Sequence, residues 1–319
     1  MGAREFDLIA RIRARAATIQ RDDIVLGIGD DAALLQVPPD QLLVLATDTL
    51  NAGVHFPDDT APADLGWKSL AVNLSDLAAM GAQPAWCTLS LSLPAGDPAW
   101  LDAFLDGFLA LAAKHRIALV GGDTTRGPLS VCVTVHGFVE RDRAMRRDQA
   151  HISDDIWVSG TLGDAAAALM QWRAGATIDP RLRERLDRPT PHIALGRALR
   201  PATHAAIDLS DGLLADLGHV CVASRCGAEV DVDAVPASDA LAAAFDGDAR
   251  RHVQAAGGDD YELCFTAPAW AREAIDTIAL DTGVRLTRIG RIVAGEGVRA
   301  FAGDGAAWLP SASGYVHFD

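Results

Sequence analysis

With 319 residues, half of them hydrophobic and 22% charged, the chain can bury two sizeable cores and lies outside the composition of disordered proteins. Its 28 Lys and Arg against 43 Asp and Glu leave a net charge of −15, a surface that repels phosphodiester backbones and excludes nucleic acid as an expected partner. The same charge repels small anionic substrates, so a phosphate-handling site would need bound cations or locally placed Arg and Lys.

Taken in chain order, the segment Met1 to Phe6 lacks the basic start and apolar core of a signal peptide. Residues 42–47 read as a buried strand, and Pro62 to Met80 as a long helix closed by Gly81. Thr88 to Leu93 is a strand, Pro98 to His115 a helix, and Ile117 to Val120 a short strand running into Gly121-Gly122-Asp123. Ser130 to Val139 alternates as another strand. The charged stretch Glu140 to Asp155 then marks a domain boundary, giving an N-terminal domain at 1–148 and a C-terminal one at 149–319. The second half restarts with the strand Ile156 to Ser159 and a helix beginning near Gly163-Asp164. A strand ending at Asp208, a helix from Asp211, and strands at Glu229 to Val232 and Tyr261 to Thr266 follow. A helix at about Pro268 to Asp281 and strands near 284–293 and 297–301 complete two α/β domains. No apolar run approaches the ~20 residues that span a bilayer. The five cysteines are scattered and odd in number, which argues against a disulfide framework or zinc site. A cytoplasmic protein with no membrane partner is expected.

The chemistry-bearing pattern is a set of Asp residues just after strands or inside Gly-rich turns. They occur in Gly27-Ile28-Gly29-Asp30-Asp31, Thr47-Asp48-Thr49, Gly121-Gly122-Asp123, Asp208-Leu209-Ser210-Asp211-Gly212 and Gly257-Gly258-Asp259-Asp260. A carboxylate held at a strand end faces a crevice, and neighbouring glycines let backbone N–H groups approach anionic oxygens. Oxygen donors without a His or Cys cluster favour magnesium, manganese or calcium. Asp76 adds a carboxylate in the apolar run Leu70 to Met80, three residues after Asn73 and on the same helix face; a solvated helix face is the competing explanation. Walker, protein-kinase and G-x-G-x-x-G signatures are absent, so nucleotide use requires another architecture.

Seven segments in order carry a resemblance to the thiamine-monophosphate kinase family over essentially the whole chain. They are GIGDDAAL (27–34), TDTLNAGVHF (47–56), NLSDLAAMGA (73–82), GGDTTRGPLS (121–130), IDLSDGLLADLGH (207–219), GGDDYELCF (257–265) and GYVHF (314–318). The resemblance implies the two-domain α/β fold shared with aminoimidazole ribonucleotide synthetase and selenophosphate synthetase, with N-terminal domains forming a barrel across a homodimer. It also implies ATP-dependent phosphorylation of thiamine monophosphate, assisted by several Mg2+ ions. By position it assigns Asp31, Thr47, Asp48, Asp76, Asp123, Asp208 and Asp211 as metal ligands, and Gly122, Asp123, Arg147 and Ser210 as ATP contacts. His55, Asp259 and Tyr315 become contacts to thiamine monophosphate. Ala46 stands where Ser or Thr often precedes the Thr-Asp pair, so only its backbone carbonyl could serve a metal; Asp259 stands where Glu is common. No acid, base or nucleophile is implied, the chemistry falling to metals and Arg147. Two alternatives remain at this level: another ATP-dependent synthetase of the same fold, and a non-catalytic metal- or nucleotide-binding protein.

Overall fold

The computed structural model describes Arg4–Pro310, Gly314 and Tyr315, so Val316–Phe318 of the terminal motif lie outside the described residues. The chain divides into two compact units. One takes the described residues up to Leu77 together with Ala82–Asp142; the other takes Ala78–Gly81 together with those from Arg143 onward.

The first unit contains α1 (Glu5–Ala16), β1 (Ile24–Leu26), β2 (Leu34–Leu35), β3 (Gln41–Asn51), most of α2 (Pro62–Ala79), β4 (Gln83–Leu93), α3 (Pro98–His115), β5 (Ala118–Arg126) and β6 (Ser130–Glu140). β1 and β2 form a small antiparallel pair, and the main sheet has the order β3-β6-β4-β5 with only β4 and β5 parallel. Strand alternation divides this sheet into two chemistries. Val131, Val133 and Val135 join Leu50, Leu89 and Leu91 in the buried face, while Thr47, Thr49, Ser90, Cys132 and Thr134 lie on the other. α2 packs on the buried face, its Leu77 against Gly137. It also meets α3 backbone to backbone. A Cβ at Gly66 would fall 2.0 Å from the Phe104 carbonyl, and one at Gly107 would fall 1.7 Å from that of Ala63. Glycine inside a helix costs about 1 kcal/mol relative to alanine; here it permits a contact that no other residue allows.

Two sequence expectations change. Asp48 sits inside β3 rather than beyond it, because β6 pairs with β3 along its length from Gln41↔Glu140 to Asn51↔Ser130. Asp123 likewise lies within β5, which does not stop at Val120 but pairs with β4 as far as Leu93↔Arg126. Gly122 makes this continuation possible, since at φ 147° its Cα faces the Leu89 carbonyl and a Cβ would come within 1.9 Å of it.

The second unit contains a 3-10 turn (Arg147–Gln149), β7 (Asp155–Ser159), α4 (Asp164–Arg173), α5 (Pro180–Asp187), α6 (Ile193–Leu199), β8 (Ala205–Asp208), α7 (Leu213–Ser224) and β9 (Gly227–Asp231). α8 (Asp239–Ala244), α9 (Gly247–Ala256), β10 (Leu263–Ala267), α10 (Arg272–Thr282), β11 (Leu286–Val293), β12 (Gly297–Phe301) and β13 (Ala307–Trp308) follow. Seven strands form one sheet in the order β13-β12-β9-β11-β7-β10-β8. α7 buries Leu213, Leu217, Val220 and Cys221 among Ile156, Val158, Ile207, Val230, Cys264 and Ile292 of that sheet. A satellite core of Ala165, Ala168, Leu182, Leu186, Leu241 and Val253 gathers α4, α5, α8 and α9. All five cysteines are free thiols, and Cys87, Cys221, Cys226 and Cys264 are buried. Among the described residues no helix is long and apolar enough to cross a membrane.

Candidate metal and phosphate site

In the second unit, β8 carries the buried Asp208 at its last position, and after four intervening residues the chain enters α7 at Leu213. The turn between them is organised by Asp216, a carboxylate in the first turn of α7. Its Oδ2 accepts the backbone N–H groups of Ser210, Asp211 and Gly212 at 3.0, 3.0 and 3.1 Å. Such bonds and a helix N-terminus favour the ionised form. Even so, burial first, and then the charges of Asp208 and Asp211, push the Asp216 carboxyl up to about 7. Three carboxylates crowded to that degree suit a cation, and their oxygen-only donor set fits magnesium. Asp211, Asp216 and His219 also bring one donor atom each within 4.8 Å of one another. The sequence reading missed Asp216 and His219. Their signal was a carboxylate and an imidazole at positions 216 and 219 of the IDLSDGLLADLGH segment, where both read as ordinary helix residues.

Two further segments are stitched to this turn by three backbone hydrogen bonds. The Ser210 carbonyl accepts from Asp259 N at 2.9 Å, the Leu209 carbonyl from Tyr261 N at 2.8 Å, and the Asp211 carbonyl from Tyr315 N at 3.0 Å. Asp208, Ser210, Asp211, Asp259 and Tyr315 are thereby brought together. Asp259 has φ 70°, a left-handed backbone that Asp tolerates better than most residues, and Tyr261 Oη donates to its carboxylate at 3.3 Å. Arg147 is not brought to this cluster within the unit. Its carbonyl accepts from Ser224 Oγ at 2.8 Å, at the C-terminal end of α7 and roughly 16 Å along the helix from its first residue, Leu213.

The other acids of the GGDDYEL segment turn inward. Asp260 accepts from Gly163 N at 2.9 Å, and burial holds its carboxyl well above the usual range. Glu262 is also buried, which alone would raise its pKa; His192, Arg185 and Ser159 reverse the effect and hold it down at about 2. Arg185 reaches Glu262 Oε1 at 2.6 Å, and Ser159 Oγ donates to Oε2 at 2.5 Å. Replacing Glu262 with Gln should leave the Arg185 guanidinium facing a neutral group inside the protein. The expected cost is ~3 kcal/mol, a fall in Tm of roughly 5–10 °C. Thermal unfolding followed by circular dichroism checks this, and an unchanged Tm would contradict it.

In the first unit, Asp48 and Ala46 lie on the helix-facing side of β3, whereas Thr47 lies on the other with Thr134, its hydroxyl 3.0 Å from Thr134 Oγ1. Asp48 N donates to Asn73 Oδ1 at 2.9 Å, and Asn73 Nδ2 donates to the Ser69 carbonyl at 2.9 Å. Fully buried Asn73 therefore ties α2 to β3, and Asp76 follows one turn later on the same helix face, half-buried among buried neighbours. By register Asp123 pairs with Ser90 and falls on the exposed face, so the sheet does not bring it beside Asp48. Gly122, next to it, is exposed. Asp31 is exposed in the turn after β1, its N–H bonded to Asp30 Oδ1 at 2.8 Å. His55 closes the loop after β3. Its Nδ1 accepts from Asn51 N at 3.0 Å, and its carbonyl accepts from the buried Lys68 ammonium at 3.1 Å.

Residues 29–139 match the AIR synthase related protein N-terminal domain, and residues 153–303 match the C-terminal domain of the same family. A thiamine-monophosphate kinase of Salmonella typhimurium is 49% identical, the match covering 100% of this chain and 99% of the relative. The crystal structure of a thiamine-monophosphate kinase from Stenotrophomonas maltophilia superimposes with a TM-score of 0.88 at 57% identity, covering 97% of this chain and 99% of that one. A structure described as AaThiL complexed with AMPPCP and TMP superimposes at 0.77 with 30% identity, covering 98% and 97%.

Proposed function

The chain belongs to the thiamine-monophosphate kinase family, and on that premise we propose that it transfers the γ-phosphoryl group of ATP directly to the phosphate of thiamine monophosphate, giving thiamine diphosphate and ADP. The observation that carries this reading is the AaThiL complex, in which a relative alike over nearly its whole length holds an ATP analogue and TMP together. ATP turnover that depends on thiamine monophosphate, assayed against a panel of phosphorylated acceptors, tests it. Turnover with another acceptor alone would favour a different synthetase of the same fold, and none at all a binding protein.

The acceptor's second pKa is about 6, so it reaches the site already mostly dianionic and needs no strong base. The difficulty is repulsion between two anionic groups that must align. Within the second unit Asp208 and Asp211, with Asp216 beside them, would hold Mg2+; within the first, Asp48 and Asp76 with the Ala46 carbonyl on the helix-facing side, Thr47 and Asp123 on the opposite face, and Asp31 in its own turn would be the ligands of further ions. Bound magnesium supplies charge neutralisation and alignment of the phosphate oxygens. Gly122, with no side chain, lets backbone approach the ATP phosphates beside Asp123, and Ser210 offers a hydroxyl at the turn into α7. Arg147 is assigned an ATP contact away from that turn. His55 is assigned to the acceptor phosphate; its Nδ1 is occupied by Asn51 N–H, which favours binding over a phosphoryl-carrier role.

Asp259 and Tyr315 are assigned to the organic part of the acceptor, the carboxylate to the aminopyrimidine and the phenol ring to stacking. Asp259→Ala should raise the KM for thiamine monophosphate roughly tenfold, the scale of one hydrogen bond, and leave the KM for ATP unchanged. Asp259→Glu should be tolerated. Steady-state kinetics with each substrate varied decides this; equal damage to ATP or magnesium dependence would overturn the assignment.

We also propose that the N-terminal domain, 1–148, mediates a homodimer while 149–319 completes the active site. β3 is an edge strand of its sheet and leaves Leu42, Leu43 and Leu45 exposed, Leu45 by 58%. Unpaired edges with apolar side chains invite pairing with another chain. Light scattering at micromolar concentration should report a dimer, and Leu45→Asp should shift it to monomer. A fully active wild-type monomer would contradict the proposal.

A further inference from the structure

At the edge of the second unit's sheet, away from the acidic turn, two imidazoles and a buried carboxylate converge. His151 and Asp154 bracket a turn closed from both sides: Asp154 N donates to the His151 carbonyl at 3.0 Å, and His151 N donates to Asp154 Oδ2 at 2.9 Å. That turn is tied to β11 by Ser153 N to the Ile292 carbonyl and Ile292 N to the Asp154 carbonyl, at 2.9 and 2.8 Å. His204 immediately precedes β8, fixed by its N–H to the Thr266 carbonyl at 2.9 Å. Its Nδ1 lies 3.0 and 2.9 Å from the two oxygens of Asp154, which is only 3% exposed. The rings of His151 and His204 are 4.2 Å apart between centroids, and one donor atom from each of the three residues lies within 4.8 Å of the others.

We propose that His151, Asp154 and His204 form a binding site for a divalent first-row transition ion, zinc above all, with water completing the coordination. Two imidazoles and one carboxylate select such ions over magnesium, which prefers oxygen. A zinc ion with bonds of ~2.0–2.1 Å requires donors within ~4 Å of one another. His204 and Asp154 already meet this, and a rotamer change at exposed His151 closes the remaining distance. An ion pair between His204 and Asp154 would explain two of the three residues, but not the second ring: two imidazolium groups stacked this closely repel, whereas two neutral rings can share one cation. The metal would take the place of the hydrogen bond between His204 Nδ1 and Asp154, the neutral ring then carrying its proton on Nε2. Asp208 lies four residues further along β8, roughly 13 Å away, so the ion is structural and staples the 151–154 turn to β8.

The test is zinc titration of metal-stripped protein against a chromophoric chelator, with excess magnesium present to occupy the acidic loops. Wild type should take up one saturable zinc per chain, and His151→Ala and His204→Ala should each weaken it by at least ~10-fold. Zinc should also raise the Tm of wild type and not that of His151→Ala, a variant at an exposed position that keeps the fold. No saturable zinc in wild type, or wild-type affinity in either variant, overturns the proposal. Should His204→Ala fail to fold, His151→Ala alone decides it.

Discussion

Asp76→Asn should lower turnover by roughly 10²–10³-fold while moving the Tm by no more than about 2 °C. The substitution preserves size and removes only charge. Its expected weight comes from position: α2 is buried around Asp76, and Asn73, one turn before it, grips the N–H of Asp48. One helix face therefore holds a carboxylate and fixes the strand that carries a second. That rigid placement is what a shared metal ligand needs and what a solvated helix residue does not. Steady-state rates with thermal melts on the same preparation separate the two. A variant with unchanged rate would place Asp76 among ordinary surface residues, and one with a collapsed Tm would make it structural.

Much of the fold was legible where local chemistry and tertiary structure agree. α3 has both expected bounds, because Pro98 starts it behind an Asp97 cap that accepts from Ala99 and Trp100 N, and Arg116 ends it in a left-handed conformation. Legibility failed where pairing overrides composition. Thr47-Asp48-Thr49 and Gly121-Gly122-Asp123 are turn-like in composition, yet the register of β6 on β3 and of β5 on β4 carries both into strands. The short helices α5, α6, α8 and α9 escaped the sequence reading too, since helices of ten residues or fewer are held by packing rather than by propensity. The candidate site divides in the same manner. Asp208, Ser210 and Asp211 were visible as a polar turn at a strand end. Asp216 was hidden because its role depends on three N–H groups that converge only once the turn has folded. In GGDDYEL the sequence could not tell the outward Asp259 from Asp260 and Glu262, which are locked inside.

Removal of divalent cations by excess EDTA should abolish turnover altogether, and added magnesium should restore it in full. The reason lies in this chain's own charges. A protein of net charge −15 must bring together two substrates that are each anionic, beside a turn where burial, and then the charges of Asp208 and Asp211, already push Asp216 up to about 7. Without cations every contact between a phosphate and these carboxylates is repulsive. At an effective dielectric of 20, a like-charged pair at 4 Å costs about 4 kcal/mol. A few such pairs exceed what Arg147 and the backbone N–H groups near Gly122 can offset. ATP affinity, measured by calorimetry in EDTA, should therefore fall together with the rate, and Asp211→Asn should soften the dependence of ATP binding on magnesium. Turnover that persists in a metal-free preparation would require Arg147 and backbone donors to stabilise the transferring phosphoryl group alone, and the acidic loops would then need a role other than holding cations.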